Sequence, residues 1–263
     1  MKTKKQYCFK VRMRLRQLLA GLAGLPTLFK VRSYYRAWSI SLSLLFGLIA
    51  IFYIRYGDLE NTSFLTKEDG LIENLSALFY LMGFFISLIS ISRNERILLP
   101  IVWAALCLLF LGEETSWFQR VFHYSVSFIE QRSDQGEFNL HNLKILNSSP
   151  LENLSGEFDL KILLNVLINP QILFQIGFFC YFVIIPLLLH FSKINTLMSS
   201  IGYKKTDTGF IFIILVVIGL SFFLQLNCSS DIKHNMGEIR EMFYAYFIMI
   251  YIISYIWPNK IVQ

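Results

Sequence analysis

Ile97–Gly112 reads ILLPIVWAALCLLFLG, and Glu113-Glu114 follow it directly. A helix this apolar belongs in a bilayer. Sixteen residues at 1.5 Å each reach only about 24 Å, against a hydrocarbon core of roughly 30 Å. The helix must therefore continue past Gly112 to cross. That carries Glu113 and Glu114 to, or just below, the membrane interface. An isolated carboxylate at membrane depth costs about 2.5–3.5 kcal/mol on insertion scales. The stretch thus sets the class of the protein and the question it raises.

Five further apolar runs lie on either side: Ala37–Ile54, Asn74–Ser92, Pro170–Phe191, Gly209–Asn227 and Met242–Trp257. The expectation is an all-α, polytopic bundle of six transmembrane helices, residues 37–263, preceded by a basic arm at 1–36. Among 263 residues, 55% are hydrophobic and 16% charged, which excludes a disordered chain and a water-soluble nucleic-acid binder. No CxxC pair exists, so no zinc ribbon or disulfide framework is indicated. Trp38, Trp103, Trp117 and Trp257 fall near run ends, as an aromatic belt predicts.

Lys and Arg set the orientation. With the N-terminus in the cytoplasm, residues 1–36, 93–96, 192–208 and 258–263 are inside. They hold 16 of the 24 basic residues and only two of the 18 acids, Glu95 and Asp207. Both termini are then cytoplasmic, and the acids face outward. The arm either lies on anionic lipid headgroups or orients the first span, and one segment can do both.

The sixth run is as short as the third. Its outer end is N-terminal, so Glu238 and Glu241 come to the same depth as Glu113 and Glu114. Asp69 and Glu73 do so on the second span. The spacings put each pair on one helix face. Glu113, Trp117 and Arg120 would also stack, if the third helix runs through Arg120. A purely structural reading pairs these acids with Lys67, Arg120 and Arg240.

The outer loop, about 113–169, supplies the other chemistry. It holds Trp117, Gln119, Arg120 and His123, then Glu137, Asn139, His141 and Asn142. It closes on Asp159–Asn169, an amphipathic stretch that either lies on the outer surface or packs as a short core helix. A divalent metal held by Glu114, His123, Glu137, His141, Glu238 and Glu241 is one reading. A hydrogen-bonded polar cap is the other. HExxH is absent. His234, beside Glu238, is a further candidate ligand.

The pattern GEExSWxQR over 112–120, ExNLHN over 137–142 and Glu-Asp-Gly-x-x-Glu over 68–73 resembles a group of uncharacterised bacterial polytopic membrane proteins. The resemblance implies location, the bacterial cytoplasmic (inner) membrane, and no mechanism. CAAX-type glutamate peptidases use EExxxR. Here Phe118 stands where that arginine would be, so the pattern departs from theirs.

Two functions follow from different classes. One is a hydrolase or transferase acting on a lipid or lipid-linked substrate. Glu73, Glu113, Glu114 and His141 would do the acid–base work. Arg120, Trp117, Gln119, Asn139, Asn142 and Arg240 would bind substrate. The other is a non-catalytic membrane subunit with protein partners, or an ion- or proton-coupled carrier. Against a carrier, the inner halves of the spans read as almost purely apolar, with no polar path across.

Overall fold

The computed structural model describes residues 32–67, 70–94, 96–122, 124, 169–226 and 228–256, with side chains from 41 onward except those of Arg120 and Val121. The described residues are helical and contain no strand. The helices are α1 (Arg32–Tyr56), α2 (Leu59–Thr66), α3 (Leu71–Arg93), α4 (Leu98–Glu114), α5 (Gln119–Phe122), α6 (Pro170–Leu188), α7 (Ser192–Ser200), α8 (Thr208–Leu224) and α9 (Ser230–Ile253). Each of the six apolar runs falls in one of α1, α3, α4, α6, α8 and α9. Three stretches are long and apolar enough to cross a membrane: Leu59–Arg93, Pro170–Leu188 and Ser230–Ile256.

Local chemistry explains several boundaries. Asn169 caps α6, accepting from the N–H of Gln171 at 2.9 Å and of Ile172 at 3.2 Å, with Pro170 in the first turn. Asp207 caps α8 through the N–H of Gly209 at 2.9 Å. Such caps satisfy N–H groups that have no partner within the helix. Within α6 the ladder widens to a π turn over Cys180–Ile184, just before Pro186. Proline has no N–H and its ring crowds the carbonyl four residues back, so the helix absorbs it by loosening a turn.

The six long helices alternate in direction. Arg55 near the end of α1 donates from Nε to Leu224 O at the end of α8, 3.0 Å away. Asn94, just past α3, donates to Tyr255 O beyond α9, at 2.7 Å. Phe174 packs on Tyr244 and Tyr181 on Tyr251, so α6 and α9 run parallel. Tyr80 packs on Phe110 and Gly83 on Cys107, so α3 and α4 run antiparallel. Helices α3, α6 and α9 therefore start at the end where α1, α4 and α8 finish.

The core centres on α9, which is buried from Asn235 to Ile252 on nearly every face. A helix without a polar face belongs inside a bundle. Facing it, α3 buries Ser76, Gly83, Ser87 and Ser90 at helical spacing. Small residues let helix backbones approach closely, which is how association gains energy in lipid. An added Cβ at Gly83 would lie 2.9 Å from Cys107 Sγ and 3.4 Å from Ile252 Cδ1. Aromatic rings fill the rest. Phe178 lies 4.7 Å from Phe182 and 4.6 Å from Tyr244, centroid to centroid. Each such pair contributes about 0.5–1.5 kcal/mol beyond its buried area.

Candidate functional site

The first turn of α3 carries Glu73, the last turn of α4 carries Glu113 and Glu114, and α9 carries Glu238 and Glu241. The topology puts all five at one end of the bundle. Helix α9 begins at Ser230, twelve residues before its apolar run, so Glu238 and Glu241 are helical as the short span requires. From the start of α6, Gln171 Nε2 donates to Glu241 Oε1 at 3.4 Å. Glu114, past the apolar part of α4, lies in the field of Glu241, Glu238, Glu73 and Glu113. Like charges gathered in a buried site disfavour ionising all of them at once. Asp69 lies outside the described residues.

Glu113 is oriented by a turn that helix propensity does not predict. Helix α4 stops at Glu114. Ser116, Trp117 and Phe118 then all take positive φ, at 48°, 52° and 63°. Left-handed backbone costs roughly 1–2 kcal/mol per non-glycine residue, so surrounding contacts must hold it. Trp117 Nε1 donates to Glu113 Oε1 at 3.0 Å, and Tyr124 OH donates to Trp117 O at 2.8 Å. The indole folds back over Gly112, where an added Cβ would lie 2.8–2.9 Å from three ring atoms. Only glycine admits the ring there. The expected stacking of Glu113, Trp117 and Arg120 along one continuous helix is thus overturned. Trp117 reaches Glu113 by reversal of the chain, and Gln119 opens the separate short helix α5.

Arg240 and Lys67 do not neutralise the cluster as simple ion pairs. Arg240 is buried, its Nη1 donates to Gln225 Oε1 at 2.5 Å, and its guanidinium stacks 4.3 Å above the Phe222 ring. Its charge is still felt by Glu241 on the same helix. Lys67 Nζ sits 4.3 Å above the Phe64 ring. His234 Nδ1 lies 3.7 Å from Glu238 Oε1, an ion pair only when the imidazole carries a proton. Two buried tyrosines complete the site. Tyr80 lies in the field of Glu114, Glu241 and Tyr244. Tyr244 is 1% exposed, and its hydroxyl has no hydrogen-bond partner.

Among the described residues no three of His, Cys, Asp and Glu are grouped to hold a metal. Glu114, Glu238 and Glu241 therefore do not form that ligand set by themselves. His123, Glu137, Asn139, His141 and Asn142 lie outside the described residues, as does the Asp159–Ile168 stretch, and the side chain of Arg120 is likewise not described.

The opposite end holds a hydroxyl network in the inner halves, which the sequence reads as almost purely apolar. Trp103 Nε1 donates to Tyr181 OH at 3.3 Å. Tyr181 OH meets Tyr251 OH at 2.9 Å, and Tyr251 OH meets Tyr255 OH at 3.1 Å and donates to Lys204 O at 2.9 Å. Tyr203 OH donates to Tyr181 O at 3.1 Å. Lys204 Nζ donates to Ser254 O at 2.5 Å and sits 4.8 Å above the Tyr255 ring. Trp103 is 5% exposed. It belongs to this network and not to an interfacial belt. The available signal was the spacing of Tyr244, Tyr251 and Tyr255 on one face of α9, in line with Arg240.

Compared with models of known protein families, with curated proteins and with solved structures, the chain matches none. The pattern resemblance over 68–142 gains no support from those comparisons, and function has to be argued from the site.

Proposed function

We propose that this chain is a six-span protein of the bacterial cytoplasmic membrane, with both termini inside and its carboxylate site facing outward. The alternation of α1, α3, α4, α6, α8 and α9 supports six crossings. Arg93, Arg96, Lys193, Lys204 and Lys205 gather at the end opposite the acids, which supports the orientation. A reporter active only outside the membrane should be active when fused after His141 and silent after Lys204. The reverse pattern would overturn the topology.

We further propose that the site is a hydrolase or transferase centre for a lipid or lipid-linked substrate. The observation that carries this is Glu114, a carboxyl in the field of four other carboxylates at one end of the bundle. Environments that push two acids apart in pKa make one a proton donor and another a base. Glu114 is the donor in this reading. Glu113, fixed by Trp117, and Glu73 are the candidate bases, with His141 from the outer loop. The depth of the cluster, at the ends of apolar helices, favours a substrate that reaches it through the outer leaflet. Purified protein in vesicles of bacterial lipid extract should consume at least one lipid species, read by mass spectrometry. The Glu114→Gln variant should consume none. Identical lipid profiles for the two would overturn the reading.

A further inference from the structure

The outer carboxylates and the inner tyrosine network lie on the same helices and share one interior. On α9 the face that carries Arg240 and Tyr244 at the outer end continues to Tyr251 and Tyr255. On α4 the face of Glu114 continues through Cys107 to Trp103, both buried. On α3 the buried face runs from Tyr80 past Gly83 to Ser87 and Ser90. Tyr244 and Tyr251 are seven residues apart, about 10.5 Å along the axis. The gap between the two polar layers is therefore little more than one layer of side chains.

Two unpaired hydroxyls edge that gap. Ser87 is fully buried, and its hydroxyl has no hydrogen-bond partner. The Tyr244 hydroxyl is in the same state on the other side of the gap. Buried hydroxyls are nearly always paired, and an unpaired one is costly to keep. Tyr244 sits at the carboxylate side of the gap, and Ser87 sits level with Trp103, at the hydroxyl side. Each hydroxyl is donor and acceptor at once, so it can pass a proton on and be reset. Ionisable groups inside a membrane bundle mark such pathways.

We propose that the bundle conducts protons between its two ends, along a track from Glu114 and Glu241 through Tyr80 and Tyr244 to Tyr251, Tyr181 and Tyr255, with Ser87 beside its inner part. A proton taken up from the outer side at the carboxylates leaves at the inner side, beside Lys204. No covalent bond other than O–H is made or broken. One positive charge crosses per proton, so a counter-ion must move for the flow to continue. The membrane potential is the driving force. The proposal does not rest on the enzymatic reading, and lipid conversion would be scored separately.

The test uses the full chain in vesicles loaded with a pH-sensitive dye. Potassium and valinomycin supply an inside-negative voltage. Internal acidification should run about tenfold or more above protein-free vesicles, as expected of a charge pathway. Tyr251→Phe keeps the ring and removes the hydroxyl. It should lower the rate about fivefold or more, because the chain loses its central link. Tyr244→Phe should lower it too, and supplies the same test if Tyr251→Phe does not fold. Tyr246→Phe is the control, since its hydroxyl pairs with Ser43 Oγ at 2.7 Å, off the track. A wild-type rate equal to that of empty vesicles would overturn the proposal. So would a Tyr244→Phe rate equal to wild type.

Discussion

Glu114→Gln should melt higher than the wild-type protein at pH 7.5, while losing lipid conversion. The two effects have opposite signs because the site concentrates like charge. Glu114 lies in the field of Glu241, Glu238, Glu73 and Glu113, and the amide keeps the shape without having to hold a proton. A site that resists ionising one carboxyl loses about 1.4 kcal/mol of stability for each pH unit above that group's unfolded value. At this chain length each kcal/mol corresponds to about 2–4 °C in melting temperature. The pH dependence follows from the direction of the shift. A carboxyl whose pKa is raised by folding favours the folded state most below its unfolded value of about 4.5. That contribution is lost as pH rises from there through the raised value. Wild-type protein should therefore melt progressively lower as pH rises above about 5, and Glu114→Gln should flatten the slope. A variant that melts several degrees lower than wild type would show that Glu114 holds the fold together through a partner, and would remove it from the acid–base role.

What could be read before the fold was seen follows a physical division. Long apolar runs declare themselves, because a bilayer leaves no choice but a helix with its backbone bonds satisfied internally. The shortness of Ile97–Gly112 and Met242–Trp257 points Glu114 and Glu241 to one end of the bundle, where the helix directions also put them. The chain reversal after Glu114 was not legible. Ser116, Trp117 and Phe118 carry no glycine, and three successive left-handed residues run against every local preference. Contacts made elsewhere, the Gly112 surface and the Tyr124 hydroxyl, hold them. The tyrosine network was missed for a different reason. Tyrosine sits in an apolar run without breaking it, and hydropathy does not tell an interior face from a lipid face. Tyr181 and Tyr251 become partners only when α6 and α9 are packed in parallel. The same limit applies to Arg240, which reads as the natural partner of Glu238 and Glu241 and is instead bonded to Gln225, just past the end of α8.

Arg240→Gln should be among the most damaging single substitutions at the site. Its guanidinium is buried, stacked on Phe222 and bonded to Gln225, so it ties α8 to α9. It also lies in the field of Glu241. Glutamine keeps a hydrogen-bonding group but removes the charge that offsets the acids and the flat surface that covers Phe222. Removing one partner of a buried charge arrangement costs about 3–5 kcal/mol. At neutral pH the melting temperature should fall by roughly 6–20 °C. Adding Glu241→Gln should restore a large part of it, because the two substitutions then leave the local charge as it began. A double-mutant cycle reads this directly, and residues in contact through charge typically couple by about 0.5–3 kcal/mol. Strict additivity would mean that Arg240 acts only through its packing on Phe222 and its bond to Gln225.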